Sequence, residues 1–361
     1  MLAEILAASA LTMSAAQSES AQQPAPSPPP STEELEALLD RHDVPGLSYA
    51  QLSRCEVVAS RTAGLATLED QSPVTETTLF EAASLSKPVF AWLVMDLERS
   101  GVIDLDRPFA DYGFEWPRIT DQAAYAQLTP RLVLTHRTGL PNWSGNSLDR
   151  DRIDPLEFVR PPNTDHSYSG EAIQLLQAFV EQMTGKSLGT LLHERLSVVM
   201  PHSSFSHDYR PGTSVSRGYT AASSPNEGDR DMMPVGDLEL AAASLATTSQ
   251  DYAAFMGMIC KGEGLPAESY AEMLRPQTPE RVDSAGLPIR WALGWSVVDF
   301  GGRPFVVHTG NNGQYRAVAG FFPDNGEGFA LLTNGANGTD LIGDFLGLDN
   351  NTDGDEAAEG G

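Results

Sequence analysis

Hydrophobic and polar residues follow two different periods along the chain, and these periods divide it into three parts. Residues 46–51 and 55–63 are short apolar runs bounded by turn residues, which is typical of strands. In the middle, residues 171–183 and 187–198 have apolar positions three or four apart, which predicts helices. The last third returns to strand-like runs at 293–300, 304–308, 316–322 and 328–333.

The strand-like runs of the last third are separated by short turns rich in Gly and Asn. Strands joined in this way form hairpins, so the pattern predicts an antiparallel sheet. With the two early strands it makes one sheet, whose first and last parts are separated by a helical middle. Residues 89–97 are apolar nearly all round, which indicates a central, buried helix.

The two ends of the chain differ in composition from the part between them. Residues 1–16 resemble a secretion signal, although no Lys or Arg precedes the apolar core; a disordered Ala-rich terminus is the alternative. Residues 17–32 are a Pro/Ser-rich linker, and 346–361 are predicted to be an acidic, disordered tail. The expected folded domain is 33–345, with its helical insertion at about 106–235. The expected location is periplasmic or secreted, with the cytoplasm as the alternative.

The net charge of the chain limits its possible binding partners, and its two cysteines limit its possible disulfides. The formal net charge of the 361 residues is -26, which argues against nucleic acid and anionic membranes as partners. No apolar run approaches the roughly 18 residues that span a bilayer. Cys55 and Cys260 can form one disulfide or remain two buried thiols, and we expect the free thiols. No cofactor or metal is predicted, and the sequence does not indicate an oligomeric state.

Candidate chemistry centres on Ser84 and Lys87 in the segment that leads into the apolar helix. If Ser84 opens this helix, Lys87 lies one turn further on the same face. A neutral lysine can take the proton of a serine hydroxyl and so activate it as a nucleophile. Only three of the 23 basic residues are lysines, and arginine cannot serve as this base. The alternative is an N-cap serine followed by a solvated lysine.

Two further segments complete a resemblance to a known family. Tyr168-Ser169-Gly170 follows Ser84-Leu85-Ser86-Lys87, and His308-Thr309-Gly310 comes third. In order and spacing, these segments resemble the motifs of the serine hydrolases related to penicillin-binding proteins and class C β-lactamases. The resemblance implies an α/β fold of the α+β type, β-lactamase/transpeptidase-like. In it an antiparallel sheet is flanked by helices, with an inserted all-helical region.

The resemblance also implies a role for each motif residue. Ser84 would be the acylated nucleophile and Lys87 its base. Tyr168 would act as a second base and then as a proton donor to the leaving group, and a tyrosinate requires nearby positive charge. The backbone N–H groups of Ser84 and Asn311 would form the oxyanion hole. His308 would complete the catalytic group. Gly170, Thr309 and Gly310 would contact the substrate, Gly310 by letting it approach the backbone.

Two departures from the family pattern bear on the substrate. His308 stands where the family's β-lactamases carry lysine, and histidine is mostly neutral near pH 7. Gly170 stands where they carry asparagine and offers no side chain. We therefore expect a small ester, amide or peptide as substrate rather than a β-lactam. The alternatives are a β-lactamase or D-Ala-D-Ala carboxypeptidase, and a non-catalytic peptidoglycan-binding homologue. His136 is interpreted as a histidine that holds a turn together.

Overall fold

The computed structural model describes residues 28–145, 154–206, 212–223, 231–232, 239–282, 287–300 and 302–347. The predicted signal peptide lies outside these ranges, as do most of the predicted linker and all but two residues of the predicted tail. None of the helices within them combines the length and apolarity needed to cross a bilayer.

The strands lie at both ends of the described chain, as the hydrophobic pattern predicts. Along the chain they are β1 (Gly46–Ser53), β2 (Glu56–Thr67), β3 (Ser72–Pro73), β4 (Phe80–Glu81), β5 (Ala246–Thr247), β6 (Arg281–Val282), β7 (Pro288–Trp291), β8 (Ser296–Phe300), β9 (Arg303–Asn311), β10 (Arg316–Phe321) and β11 (Gly328–Thr333).

Helices lie at the start, in the middle and at the end of the described chain. They are α1 (Thr32–His42), α2 (Ser86–Arg99), α3 (Gln122–Tyr125), α4 (Pro130–Leu134), α5 (Gly170–Thr184), α6 (Leu188–Leu196), α7 (Ser249–Cys260), α8 (Ala267–Leu274) and α9 (Gly338–Phe345). Their ends follow local signals in the sequence. Ser31 and Glu34 form a capping box at the start of α1, and Gly185 ends α5 in the left-handed conformation.

The main sheet joins the two ends of the described chain. Its order is β3-β2-β1-β11-β10-β9-β8-β7-β6, so the first hairpin pairs directly with the last one. The pairing of β1 with β11 is antiparallel and runs from Leu47 opposite Thr333 to Leu52 opposite Gly328. All other neighbours in this sheet are also antiparallel. The predicted antiparallel sheet is confirmed.

Helices cover both faces of the sheet. Helices α1 and α9 contact each other and pack on one face through Leu35, Leu39 and Leu341, which are buried with Leu47 and Leu331. Helix α7 packs on the other face against β1, β2, β10 and β11. There a larger apolar core continues into α2 and the helical middle. Every residue of α2 from Ser86 to Leu97 is buried, which confirms the predicted central helix.

One prediction about the start of this helix is wrong. Ser84 does not open α2, because a short 3₁₀ turn, Ala83–Leu85, precedes the first α-helical residue, Ser86. Ala83 has φ 50°, a left-handed conformation that costs an L-residue roughly 1 kcal/mol or more. The chain turns sharply here from β4 into the helix, and the turn presents Ser84 at the N-terminal end of α2.

The prediction of two free thiols is also wrong. Cys55 and Cys260 form a disulfide, with their Cα atoms 5.5 Å apart. Cys55 lies in the turn between β1 and β2, and Cys260 is the last residue of α7. The bond therefore fastens the first hairpin to the helix that packs beneath it. Two cysteines separated by 205 positions carry no local signal of this pairing.

We predict that the double substitution Cys55→Ser/Cys260→Ser lowers the free energy of unfolding by about 3–5 kcal/mol, because the bridge closes a very long loop in the unfolded chain. Denaturant titration of the oxidised wild type and the variant measures the difference. The control is a reducing agent, which should shift the wild-type midpoint and leave that of the variant unchanged. Coinciding midpoints for oxidised wild type and variant would contradict the prediction.

Candidate active site

The turn that carries Ser84 is held by buried hydrogen bonds on both sides. The hydroxyl of Ser86 donates to the carbonyl of Ala83 at 2.6 Å and accepts from the N–H of Leu245 at 2.9 Å. The hydroxyl of Tyr252 donates to the carbonyl of Leu85 at 2.9 Å. These bonds fix the backbone around Ser84, so its hydroxyl has a defined direction towards the cleft.

Lys87 contacts Ser84 as the spacing of the two residues predicts. Its Nζ lies 2.9 Å from Ser84 Oγ and donates to the carbonyl of Ala242 at 2.7 Å. The same Nζ lies 4.7 Å from the centre of the Tyr168 ring. Lys87 is only 1% exposed, and this burial lowers the pKa of its ammonium to about 7. At neutral pH much of the amine is therefore neutral beside the serine.

The carbonyl that accepts from Lys87 is positioned by helix α5. The side-chain oxygen of Gln177 accepts from the N–H of Ala241 at 2.7 Å, and that of Gln174 accepts from the N–H of Ala242 at 3.3 Å. Gln177 also donates to the carbonyl of Glu239 at 2.8 Å. Two side chains one turn apart thus hold the segment that Lys87 touches.

Tyr168 lies beside both residues, just before α5 begins. A hydrogen bond with Ser84 acts to lower the pKa of its hydroxyl, but desolvation is the larger effect and raises this pKa far above its usual value. The phenol is therefore protonated at neutral pH. The tyrosinate considered from the sequence is therefore not the resting form, because burial of the hydroxyl disfavours its charged state.

His136 packs against Tyr168 and binds the backbone next to it. Its ring centre lies 4.2 Å from that of Tyr168, and its Nδ1 accepts from the N–H of Ser169 at 3.1 Å. Its own carbonyl accepts from the N–H of Ser167 at 2.7 Å. Burial, with His166, Lys87 and His308 nearby, holds the pKa of His136 well below its usual value. His136 is therefore a neutral residue that fixes the turn around Tyr168, as interpreted from the sequence.

His308 is neutral as well. It is 3% exposed in β9, and burial lowers the pKa of its imidazole to about 3. Its Nδ1 lies 2.7 Å from the carbonyl of Thr309, which can only accept, so Nδ1 carries the proton. Nε2 is then a buried acceptor without a partner in the described part of the chain. His308 is not a fixed cation, which agrees with the departure noted in the sequence.

The residues after His308 form the edge of the cleft. Thr309 and Asn311 are exposed, and Gly310 between them is buried. A Cβ atom on Gly310 would lie 2.4 Å from the carbonyl oxygen of Ala82 and 3.1 Å from the Cβ of Ala83. The close approach at this glycine is therefore to the chain just before Ser84. Only glycine lets β9 pack so tightly against the turn of the nucleophile.

The space beside Gly170 is filled by a side chain that the sequence did not indicate. A Cβ atom there would lie within 2.5–2.7 Å of three atoms of the Trp143 ring. Trp143 is 37% exposed and occupies the space that a side chain at position 170 would need. Its loop is held to α5, since Gly170 N–H donates to Asn142 Oδ1 at 3.0 Å and Ser144 N–H donates to Glu171 Oε1 at 2.9 Å.

A buried ion pair secures this attachment. Arg118 donates to Glu171 Oε2 at 2.7 Å, and their side chains are 6% and 0% exposed. Because the carboxylate is fully buried, both of its oxygens need such partners. The loop that carries Trp143 is thereby fixed to the first turn of the helix after Tyr168.

Within the described ranges, no group of three or more His, Cys, Asp or Glu side chains is arranged so that it could hold a metal ion.

The antiparallel sheet, the helices and the site together define a β-lactamase/transpeptidase-like protein. The model of the Beta-lactamase family matches residues 32–347, so the chain belongs to this family. A similar relative is Penicillin-binding protein 4 of Amycolatopsis lactamdurans, 27% identical over 87% of both chains. Esterase EstB of Burkholderia gladioli is 34% identical over 37% of this chain and 39% of its own.

A solved structure shows the same fold. The D-alanine carboxypeptidase AmpC of Burkholderia cenocepacia superposes with a TM-score of 0.69 at 19% identity, covering 88% of this chain and 97% of its own. The resemblance noted in the sequence is therefore confirmed. With a penicillin-binding protein and an esterase among its relatives, the chain is of the general serine-hydrolase kind found in this family.

The structure brings Ser84, Lys87, Tyr168 and His308 together and places Gly310 against the chain before Ser84, but the sequence did not indicate three further contributors. The carbonyl of Ala242 has no side-chain signature, since every residue has a carbonyl. Trp143 was not recognised, because its partner at position 170 is a glycine. Trp291 was not recognised either; its ring centre lies 4.8 Å from that of His136 and 5.6 Å from those of Tyr168 and His308.

We predict that Gly170→Ala destabilises the protein by about 1–3 kcal/mol, because the new methyl group collides with Trp143. Denaturant titration measures the loss, and tryptophan fluorescence reports the displaced indole. In the Trp143→Ala background the same substitution should cost much less, since the space is then free. An equal cost in both backgrounds would contradict this account.

Proposed function

We propose that this protein is a serine hydrolase that acts through a covalent acyl-enzyme on an ester or amide. The observation that carries the proposal is the contact of 2.9 Å between Lys87 Nζ and Ser84 Oγ, together with the lowered pKa of this lysine. A serine hydroxyl is a weak nucleophile, and a largely neutral amine within hydrogen-bond reach supplies the base it needs.

In the proposed acylation, the neutral Lys87 amine takes the proton of Ser84, whose oxygen forms a bond to the substrate carbonyl carbon. The carbonyl π electrons move to its oxygen, which the N–H groups of Ser84 and Asn311 stabilise. When the intermediate collapses, the bond to the leaving group breaks and Tyr168 donates its proton to that group. The raised pKa of Tyr168 supports the role of donor. Lys87 then returns the proton to Tyr168, and water cleaves the acyl-enzyme.

The charges of the site favour a substrate without a carboxylate next to the reacting bond. His308 is neutral where related β-lactamases carry lysine, and the lowered pKa of Lys87, about 7, leaves a substantial part of its amine uncharged at neutral pH. A charge-assisted hydrogen bond contributes roughly 1.5–3 kcal/mol, so its loss weakens carboxylate binding about ten- to a hundredfold. We therefore favour esters and simple amides over β-lactams. The esterase among the relatives agrees with this preference.

A D-Ala-D-Ala carboxypeptidase or β-lactamase is the competing enzyme, suggested by the relatives named as a penicillin-binding protein and a D-alanine carboxypeptidase. A non-catalytic, peptidoglycan-binding protein is the alternative from another class. The preserved contact between Ser84 and Lys87 argues against it, because a protein that only binds has no use for a buried lysine whose charge is destabilised.

We also propose that the protein works outside the cytoplasm, in the periplasm or the medium. The disulfide between Cys55 and Cys260 supports this location, because such bonds persist in oxidising compartments. Cell fractionation of the full chain, with N-terminal sequencing of the mature protein, tests the proposal.

The proposed activity predicts that p-nitrophenyl acetate is hydrolysed faster than nitrocefin or a D-amino-acid amide. A fluorophosphonate probe should add to wild type and not to Ser84→Ala, and the substitution should reduce ester turnover roughly 10³-fold or more. Intact mass spectrometry measures the adduct. The matched control is Ser100→Ala, which removes a hydroxyl that donates to the carbonyl of Leu97 at the other end of α2 and should leave labelling at Ser84. Labelling that persists in Ser84→Ala would refute the assignment of the nucleophile.

The proposed role of Lys87 predicts a specific pH dependence. The active form is the neutral amine, so kcat/KM should fall about tenfold per pH unit below a pKa of about 7 and level off above it. Lys87→Arg should be as damaging as Lys87→Ala, since arginine keeps the charge but cannot accept the proton. Near-wild-type turnover in Lys87→Arg would show that the site needs charge rather than basicity.

A further inference from the structure

We propose that Asn312 is a positioning residue that holds together three separate segments of the active site. Its side-chain Nδ2 donates to Glu81 Oε2 at 2.7 Å and to the carbonyl of Ala243 at 3.1 Å. Its backbone N–H donates to the carbonyl of Tyr315 at 3.1 Å, which anchors it to the end of the β9–β10 hairpin. The inference rests on the proposed acyl-enzyme function.

The two side-chain contacts end close in sequence to residues of the proposed mechanism. Glu81 is the last residue of β4, three positions before Ser84, and is 1% exposed. Ala243 follows Ala242, whose carbonyl accepts from Lys87 at 2.7 Å. Asn312 itself follows Asn311, the proposed oxyanion donor. One amide group therefore bridges the segment before Ser84 and the residue after Ala242, and it does so from the end of β9.

The bridge is placed where the packing leaves little freedom. Gly310 in β9 lies against the carbonyl of Ala82 so closely that a Cβ atom would be only 2.4 Å from it. The two hydrogen bonds from Asn312 Nδ2, one to Glu81 and one to the carbonyl of Ala243, fix the direction of the chain just beyond this contact. Misplacement of a reacting group by about 1 Å can cost about 10²-fold in rate, so a side chain that never touches substrate can control turnover.

Asn312→Asp is the informative substitution, since it keeps the shape and exchanges the donating nitrogen for a second oxygen. The new carboxylate would face Glu81 at hydrogen-bond distance. Two carboxylates this close repel each other when both are ionised, so the pKa of one of them is raised and they share a proton at low pH. The contact should therefore be repulsive at high pH and restored as an O–H···O bond at low pH.

We expect Asn312→Asp to lower kcat at pH 8.5 about ten- to a hundredfold with little change in KM. The ratio of its kcat to that of wild type should then rise at least about tenfold towards pH 5.5. Dividing by wild type removes the fall caused by protonation of Lys87. Adding Glu81→Gln should remove the pH dependence of the ratio and recover part of the activity, because the glutamine amide can donate to the new carboxylate. Asn312→Ala should show a loss that does not vary with pH.

The control is Asn325→Asp, which adds the same charge in the turn between β10 and β11. This turn lies at the opposite end of β10 from Asn312, and in it Asn325 Oδ1 accepts from the N–H of Glu327 at 3.1 Å. It should leave the kcat ratio flat. A flat ratio for Asn312→Asp in an active enzyme would overturn the positioning role. A ratio that falls towards low pH would also overturn it, because the new charge would then be acting directly on Lys87.

Thermal unfolding separates this inference from the proposed function. The melting temperature of Asn312→Asp, relative to wild type, should also rise as the pH falls, since the folded state then binds the shared proton more tightly than the unfolded chain. If this shift is seen but wild type neither hydrolyses esters nor takes up the fluorophosphonate, the proposed function fails while the contact stands. If wild type is active and labelled at Ser84, the function stands, and the kcat ratio alone decides the role of Asn312.

Discussion

Removal of water from around Lys87 is the condition on which the rest of the site depends. A lysine in water is protonated and cannot activate a serine, whereas burial inside the core lowers its pKa to about 7. The buried part of α2, from Ser86 to Leu97, provides that environment. The carbonyl of Ala242 satisfies one of the amine's hydrogens without adding a charge that would stabilise the ammonium. The proposed catalytic chemistry and the core packing therefore share one helix.

The sheet brings the remaining groups to this lysine. Strand β9 reaches the turn of the nucleophile through Gly310, while α5 starts next to Tyr168 and holds the segment of Ala242 through two glutamines. These elements come from distant parts of the chain, and they meet because the first hairpin pairs with the last one. The site is thus a consequence of how the sheet closes.

Charge distinguishes the cleft from the surface. The chain carries a formal net charge of -26, yet burial keeps the imidazoles of His136 and His308 neutral and lowers the pKa of Lys87 to about 7. In such a buried site with little fixed charge, hydrogen bonds to a developing oxyanion have more weight than they have in water. The site offers an anionic group on the substrate no fixed partner. The proposed preference for uncharged esters and amides rests on this balance.

The sequence by itself determined the elements and the chemical identity of the site. Strands, helix caps and the spacing of Ser84 and Lys87 depend on residues a few positions apart, so periodicity and capping residues predict them. The 3₁₀ turn before α2, the bond of Cys55 to Cys260, the carbonyl of Ala242 and the place of Trp143 depend on contacts between remote segments. Only the tertiary structure decided these, because packing and solvent exclusion act between residues that are distant in the chain and carry no local signal.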